Sequence, residues 1–388
     1  MMCAVAAKRK DPSRSVAILE KNDRLGKKLL STGNGRCNLT NEKIGAEKYA
    51  GSFVMQSKAV FDRYGADRLL KYFEDLGLLT SKDSEGRYYP ICRQATAVLD
   101  VLRFTLERVG AEVICNAQIR SVKKSGDGFS VRLAEDELYA DKLVIACGSK
   151  AAPKLGGTSS CADYLKNLGH RFVPFSPALC PVIVNSRVLR SLKGIRAACE
   201  LTLMNGCKIL KKERGEVQFT DDALSGICVF NLSLFAQKGN IISVDLLPDI
   251  SNDELLNKLN NNRQLFSEKT TDNIFTGILQ KRLAQAVLKE SGITGFSDLC
   301  SNLTDEELKN IAYTANAMCF TVAGKAGFDR AQAALGGAHG SMINENTMQS
   351  KACDNLYICG EAVDICGECG GYNLHFAFAS GLIAGESI

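Results

Sequence analysis

Two glycine-rich stretches, one near each end of the chain, hold most of the residues that could do chemistry. The C-terminal one reads NLYICGEAVDICGECGGYNLHFAFASGLIAGESI, residues 355–388. An apolar run of strand length ends at Gly360, Glu361 and Asp364 follow, and Gly367, Gly370 and Gly371 precede a helical pattern. A helix start opened by glycines offers unpaired N–H groups and the positive end of a dipole, a place for a pyrophosphate or an electron-rich ring oxygen. The plain alternative is a glycine turn before a terminal helix. Within the stretch, Cys366 and Cys369 form a CxxC. Two thiols at that spacing can form a redox disulfide or half of a zinc site. No other CxxC supplies the second half, so a flavin-coupled dithiol and two loop thiols without redox role are the readings that stay open. His375 and His339 could each serve as a general acid or base, or simply pack.

The N-terminal stretch, KNDRLGKKLLSTGNGRCNLTN, covers residues 21–41. Gly26, Gly33 and Gly35 allow backbone to approach a ligand. Lys27, Lys28 and Arg36 add positive charge, and Asn34 and Asn38 add amide hydrogen bonds. Such a loop suits an anionic, polar cofactor, or is a solvated surface loop. Immediately before it, the apolar run Ser15–Leu19 ends at Glu20. In dinucleotide folds the second strand ends in an acid that holds ribose hydroxyls, about 20 residues beyond a glycine fingerprint. Counting back puts that fingerprint at or just before Met1. Taken alone, Glu20 could equally be an exposed acid at a strand end. A third buried run, KLVIACGS at 142–149, closes in a small residue and Gly148.

The elements that must position these residues follow from periodicity. Residues 1–10 read as a helix with a basic last turn, and 15–19 and 142–146 as buried parallel strands. Helical spacing is expected over 58–76 and 97–109, a strand at 111–115, and a hairpin from 119–123 and 128–133 across SGDG. From 181 to 247 short alternating strands predict a small β-rich domain, and from 252 to 311 long helical stretches predict a helical insertion. Thr304 followed by Asp305, Glu306 and Glu307 marks a helix start. Strand character returns at 316–322.

The bulk numbers fit a globular protein of two or three domains: 388 residues, 45% hydrophobic and 23% charged. A net charge of +5, spread along the chain, gives no basic arm for nucleic acid. Sixteen cysteines, scattered singly in apolar runs, behave as small buried hydrophobes of a reducing compartment, and a cytoplasmic protein is expected. No signal peptide or membrane-length run is read, and three histidines leave little room for a metal site.

The segments LEKNDRLGKKLLSTGNGRCNLTN, GEVQFTDDALSGICVFNLS and TMQSKACDNLYICGEAVDICGECGGYNLHFAFASGLIAG, in this order, closely resemble the BaiN-like, aminoacetone-oxidase-like family of FAD-binding flavoproteins over the whole chain. The resemblance implies an α/β fold, with a doubly wound, Rossmann-like FAD domain from 1–178 and 336–388. A β-barrel-like domain, 179–250 and 316–335, and a helical insertion, 251–315, interrupt it. It also implies roles: Glu20 for the ribose with Lys21 beside it, and Thr32, Gly33, Gly35, Arg36, Cys37 and Asn38 for the loop along FAD. Ile119 would meet the adenine through its backbone, and Gly148 would close a strand motif. Gly360, Glu361 and Asp364, then Gly370, Gly371, Tyr372, Asn373 and Leu374, would lie beside the pyrophosphate and ring. Two departures stand out. The family opens with a strand and a glycine-rich loop ahead of the helix that begins here, and His375 stands where a neutral polar residue such as Gln is expected.

The resulting expectation is an FAD-dependent oxidoreductase acting on a small molecule, with no membrane partner and none of nucleic acid. No second dinucleotide fingerprint occurs, so NAD(P)H as reductant would dock on the flavin without a Rossmann domain of its own. The rival readings are a cofactor-free binding protein and an FAD-dependent nucleic-acid-modifying enzyme.

Overall fold

The computed structural model describes residues 1–293 and 295–388. They form two compact units, one from Met1–Ala178 with Phe328–Ile388 and one from Leu179–Gly327.

The first unit contains the parallel strands. Each is three residues long, and they occur as two ribbons: Ala17–Leu19 beside Glu112–Ile114, and Leu143–Ile145 beside Leu356–Ile358. Among the described residues no strand joins the ribbons into one sheet. Apolar helices hold them. The helix Met2–Lys10 packs on the C-terminal helix Tyr372–Ser387 and on Ala95–Val109. The C-terminal helix is buried on nearly every side, from Tyr372 through Gly385, which fits its almost uniformly apolar sequence. The expected helix over 58–76 is two helices, Val54–Arg63 and Ala66–Asp75, parted at Tyr64 and Gly65. The expected hairpin carries a third strand: Ser121–Ser125, Gly128–Arg132 and Glu137–Ala140 form an antiparallel meander. Strand Ala333–Ala338 pairs antiparallel with Phe172–Ala178. Residues 328–335, grouped with the barrel in the sequence reading, therefore lie in the first unit.

The second unit is built on a closed six-stranded barrel, in the order Val182–Asn185, Ala223–Ser225, Lys208–Phe219, Arg196–Asn205, Ile241–Asp245 and Met318–Lys325. Alternate residues point inward, as the period of a strand requires. Leu201, Leu203, Val217, Phe219, Ile242, Val244, Phe320 and Val322 are all buried. Helices Asn252–Leu265, Lys281–Glu290 and Asp305–Asn316 share this apolar core. Two of them start with a full capping box, Ser251 with Glu254 and Thr304 with Glu307, which satisfies two backbone donors reciprocally. No helix among the described residues is long and apolar enough to cross a membrane.

Candidate functional site

The site is assembled where the parallel strands end. Glu20 follows strand Ala17–Leu19, and its backbone N–H donates to the Ile114 carbonyl, 2.9 Å. Its Oε1 accepts from the Asn22 backbone N–H and side-chain amide, each 2.8 Å, which fixes the carboxylate at the strand end. Lys21 beside it is exposed. Gly26 then starts the short helix Lys27–Ser31 in a left-handed conformation, φ 80°. A Cβ there would lie 2.4 Å from Leu99 Cδ1, so this glycine serves helix packing rather than a close ligand approach.

Beyond that helix the chain coils tightly. Gly33, Asn34, Gly35 and Cys37 all have φ between 55° and 79°. The turn is pinned on Thr32, whose carbonyl accepts the Gly35 and Cys37 N–H groups. Arg36 stays exposed and lies over the Tyr89 ring at 5.3 Å. Cys37 and Asn38 turn inward and are buried. Burial pushes the Cys37 thiol up to about 12, so it stays protonated and is no nucleophile at neutral pH.

Residues of three distant segments meet at the ends of the second ribbon. The Glu361 carboxylate accepts from Lys28 Nζ and from Ser149 Oγ, the latter at 3.1 Å. Gly148 lies beside it: a Cβ there would sit 3.8 Å from Glu361 Oε2. Gly360 donates its N–H to Ser380 Oγ, 3.0 Å, which ties the strand end to the C-terminal helix.

The start of the C-terminal helix lies directly on the N-terminal loop. Gly371 is the residue before the helix, with φ 100°. A Cβ on it would lie 2.7 Å from both Asn38 Oδ1 and the Thr40 carbonyl, so only glycine fits. Asn41 Nδ2 donates to the Gly370 carbonyl, 3.1 Å. Asn373 closes the turn by exchanging two hydrogen bonds with Gly367, at 2.8 and 2.9 Å. Tyr372 is buried, and its carbonyl accepts from Tyr49 Oη at 2.8 Å. Leu374 packs against the core edge. The helix carries no acid in its first turn.

Several other residues singled out from sequence are held by the protein itself. His375 is fully buried. Its Nε2 faces the Tyr64 carbonyl at 2.9 Å, which can only accept, so Nε2 bears the proton and Nδ1 accepts from Thr40 Oγ1 at 2.8 Å. Burial lowers its pKa from the ordinary value to about 4. A neutral ring with both nitrogens bonded is a cross-link, not an acid–base group. Asp364 is buried, and its two oxygens accept the Gly336 and Ser52 backbone N–H groups at 2.8 and 2.9 Å. The Ile119 carbonyl accepts from Tyr164 Oη, 2.9 Å. Cys366 is buried in a two-residue strand paired with Tyr49–Ala50, whereas Cys369 is half-buried. His339 bonds Ser341 through Nδ1, 2.9 Å. Among the described residues no cluster of His, Cys, Asp and Glu could hold a metal.

The residues present fit FAD. Asn38 Oδ1 is buried without a hydrogen-bond partner, and it lies against the glycine that opens the helix. A buried acceptor left unpaired is costly, and the N–H edge of a flavin-type ring is the kind of group that satisfies it. The acid-free helix start suits a diphosphate and a ring that gains negative charge, and Lys28 offsets the Glu361 carboxylate that would otherwise repel them. Ser149, Thr40, Asn41 and Tyr49 also hold this site together. No local pattern marks them, since their partners lie more than 200 residues away in sequence.

A Rossmann-type arrangement with a glycine-lined cradle at the strand ends defines an FAD-dependent oxidoreductase. The family model described as HI0933-like protein Rossmann domain matches residues 1–387, and the chain belongs to that family. It is 33% identical over 393 residues to a 3-dehydro-bile acid delta(4,6)-reductase of Clostridium scindens, covering 100% of this chain and 96% of that protein. It is 26% identical to a ribosomal RNA dihydrouridine synthase of Escherichia coli, over 98% of this chain and 93% of the relative. Among solved structures, a 3-ketosteroid-delta4-(5alpha)-dehydrogenase from Rhodococcus jostii covers 99% of this chain and 94% of its own, at 14% identity and a TM-score of 0.47.

Proposed function

We propose that this protein reduces a carbon–carbon double bond conjugated to a carbonyl in a small molecule, using FAD that NAD(P)H has reduced. The observation that carries the reading is the full-length likeness to a reductase of a 3-oxo bile acid. The dihydrouridine synthases add a second, chemically related case, since the uracil double bond is also conjugated to a carbonyl. Saturating such a bond takes a hydride on the carbon remote from the carbonyl and a proton on its neighbour. Bound FAD, once reduced, supplies the hydride.

The chain's own residues would do the rest. We assign Glu20 to the ribose, with Lys21 beside it. Lys28, Gly148, Gly360 and Glu361 line the diphosphate, together with the coil from Thr32 to Arg36. Asn38 and the helix start at Gly370–Gly371 hold the ring edge, where the helix dipole favours negative charge. Cys37, Tyr372, Asn373 and Leu374 shape that cradle from behind. A reducing, cytoplasmic setting suits cysteines buried singly among apolar side chains, such as Cys161 and Cys228.

The test is an anaerobic one. The purified protein is reduced with NADH or NADPH, then mixed with a 3-oxo-4,6-diene bile acid, its saturated 3-oxo analogue, or uridine-rich ribosomal RNA. Return of the oxidised-flavin absorption with the diene alone, along with loss of the diene's ultraviolet band, is the expected result. Reoxidation by RNA alone would reassign the substrate to nucleic acid. Reoxidation by none of the three would remove the enone reading.

A further inference from the structure

Three stretches of the first unit, 49–53, 336–340 and 362–367, meet around one buried carboxylate. Asp364 Oδ1 accepts the Gly336 N–H at 2.8 Å and Oδ2 accepts the Ser52 N–H at 2.9 Å. Its own backbone is used as well: the carbonyl accepts from Phe53 N–H, 3.1 Å, and its N–H donates to the Ala338 carbonyl, 3.0 Å. Ser52 Oγ closes the ring of contacts by accepting the Gly340 N–H, 2.9 Å. The backbones approach so closely that a Cβ on Gly51 would lie 2.4 Å from the Asp364 carbonyl oxygen. A carboxylate can accept from two separate backbone donors at once, and charge makes each bond stronger than a neutral one. An amide in its place would turn a donor toward one of those N–H groups.

The knot leads directly to the site. Two residues beyond Asp364, Cys366 and Gly367 pair with Tyr49 and Ala50. The segment 49–53 is thus held at one end by the carboxylate and at the other by this short ladder. The chain then passes through 368–371 into the C-terminal helix, whose first carbonyl is held by Tyr49 Oη. The position of Asp364 therefore sets where Gly370 and Gly371 lie against Asn38 and Asn41.

We infer that Asp364 is a positioning residue of the FAD site, fixing the glycine turn before the C-terminal helix from behind without touching the cofactor. The inference rests on the reading that the junction of Asn38 and Gly371 holds FAD. Asp364→Asn and Ser52→Ala are compared with the parent protein. Three quantities are read: the FAD dissociation constant by fluorescence titration, the visible spectrum of bound flavin, and the melting temperature of the cofactor-free chain. Losing one charge-assisted bond and gaining a misdirected donor should weaken FAD binding about tenfold or more in Asp364→Asn. Ser52→Ala should weaken it about two- to threefold, as for one neutral bond at the edge of the knot. In both, the flavin bands should shift at temperatures where the chain is fully folded. Parent-like affinity and spectrum in a folded Asp364→Asn, whatever its melting temperature, would overturn the inference. If that variant does not fold, the same parent-like values in Ser52→Ala overturn it. A parent protein that binds no FAD would instead sink the reading of the site on which the inference rests.

Discussion

The barrel and the parallel ribbons solve the same problem in different ways. Every barrel strand has a neighbour on both sides, so closure satisfies its backbone donors and acceptors within the sheet. Each parallel strand of the first unit has one neighbour and only three residues. That unit is held instead by helices and by single polar side chains that bridge distant segments: Glu361 to Lys28 and Ser149, His375 to Thr40 and Tyr64, Asp364 to Ser52 and Gly336. Both units have large apolar cores, and the ribbon unit adds buried polar bridges between distant segments where the barrel has closure. The candidate site sits in the second kind of structure, where a backbone can be glycine-rich and yet fixed.

The contrast can be broken at three points, taken from the largest effect downward. Phe320 is buried in the barrel, with its ring centroid 6.2 Å from that of Phe219. Phe320→Ala should cost about 3–5 kcal/mol in urea unfolding, while FAD titration below the unfolding midpoint stays unchanged. Next, His375 gives the ribbon unit a sensitivity to acid. Its folded pKa of about 4 lies below the ordinary 6.5, so the unfolded chain binds the proton first as pH falls. The stability held by the neutral ring is complete above about pH 6.5 and is lost progressively toward pH 4, by about 3 kcal/mol. Urea midpoints between pH 7 and 4.5 should therefore fall less steeply in His375→Gln than in the parent. An equal slope would mean that the ring takes up its proton without cost. The smallest effect is expected at Lys28, whose side chain is half-buried. Lys28→Met should raise the FAD dissociation constant about tenfold. The gap should narrow as salt rises, because salt screens the exposed part of the charge. A salt-independent gap would point to a packing role for the lysine stem.

Strand and helix positions were legible where periodicity speaks. The apolar runs at 15–19 and 142–146 contain the strands Ala17–Leu19 and Leu143–Ile145. Thr304 with Glu307 marked a helix start because capping chemistry is local. The break at Tyr64 and Gly65 was not legible, since the apolar spacing of the two helices runs through it. Nor was the strand Glu137–Ala140, which is only four residues long and mostly exposed. The glycines of the site announced themselves, because few other residues tolerate their conformations. The roles of His375 and Asp364 did not. Residue type offered them as chemistry, and only their partners, in segments far away in sequence, make them braces. Thr40, Ser149 and Tyr49 were missed for the same reason.

The first unit is closed by its last helix, which packs on the helix Met2–Lys10. Between those two halves, the ribosome must synthesise the whole of the second unit. At ordinary elongation rates that takes on the order of ten seconds. Throughout that interval the early half stands with its apolar helix faces uncovered, while the barrel has everything it needs to fold. A nascent chain stalled before Tyr372 should accordingly present a finished barrel attached to an unfinished half, so that the candidate cradle closes only after the second unit has been made.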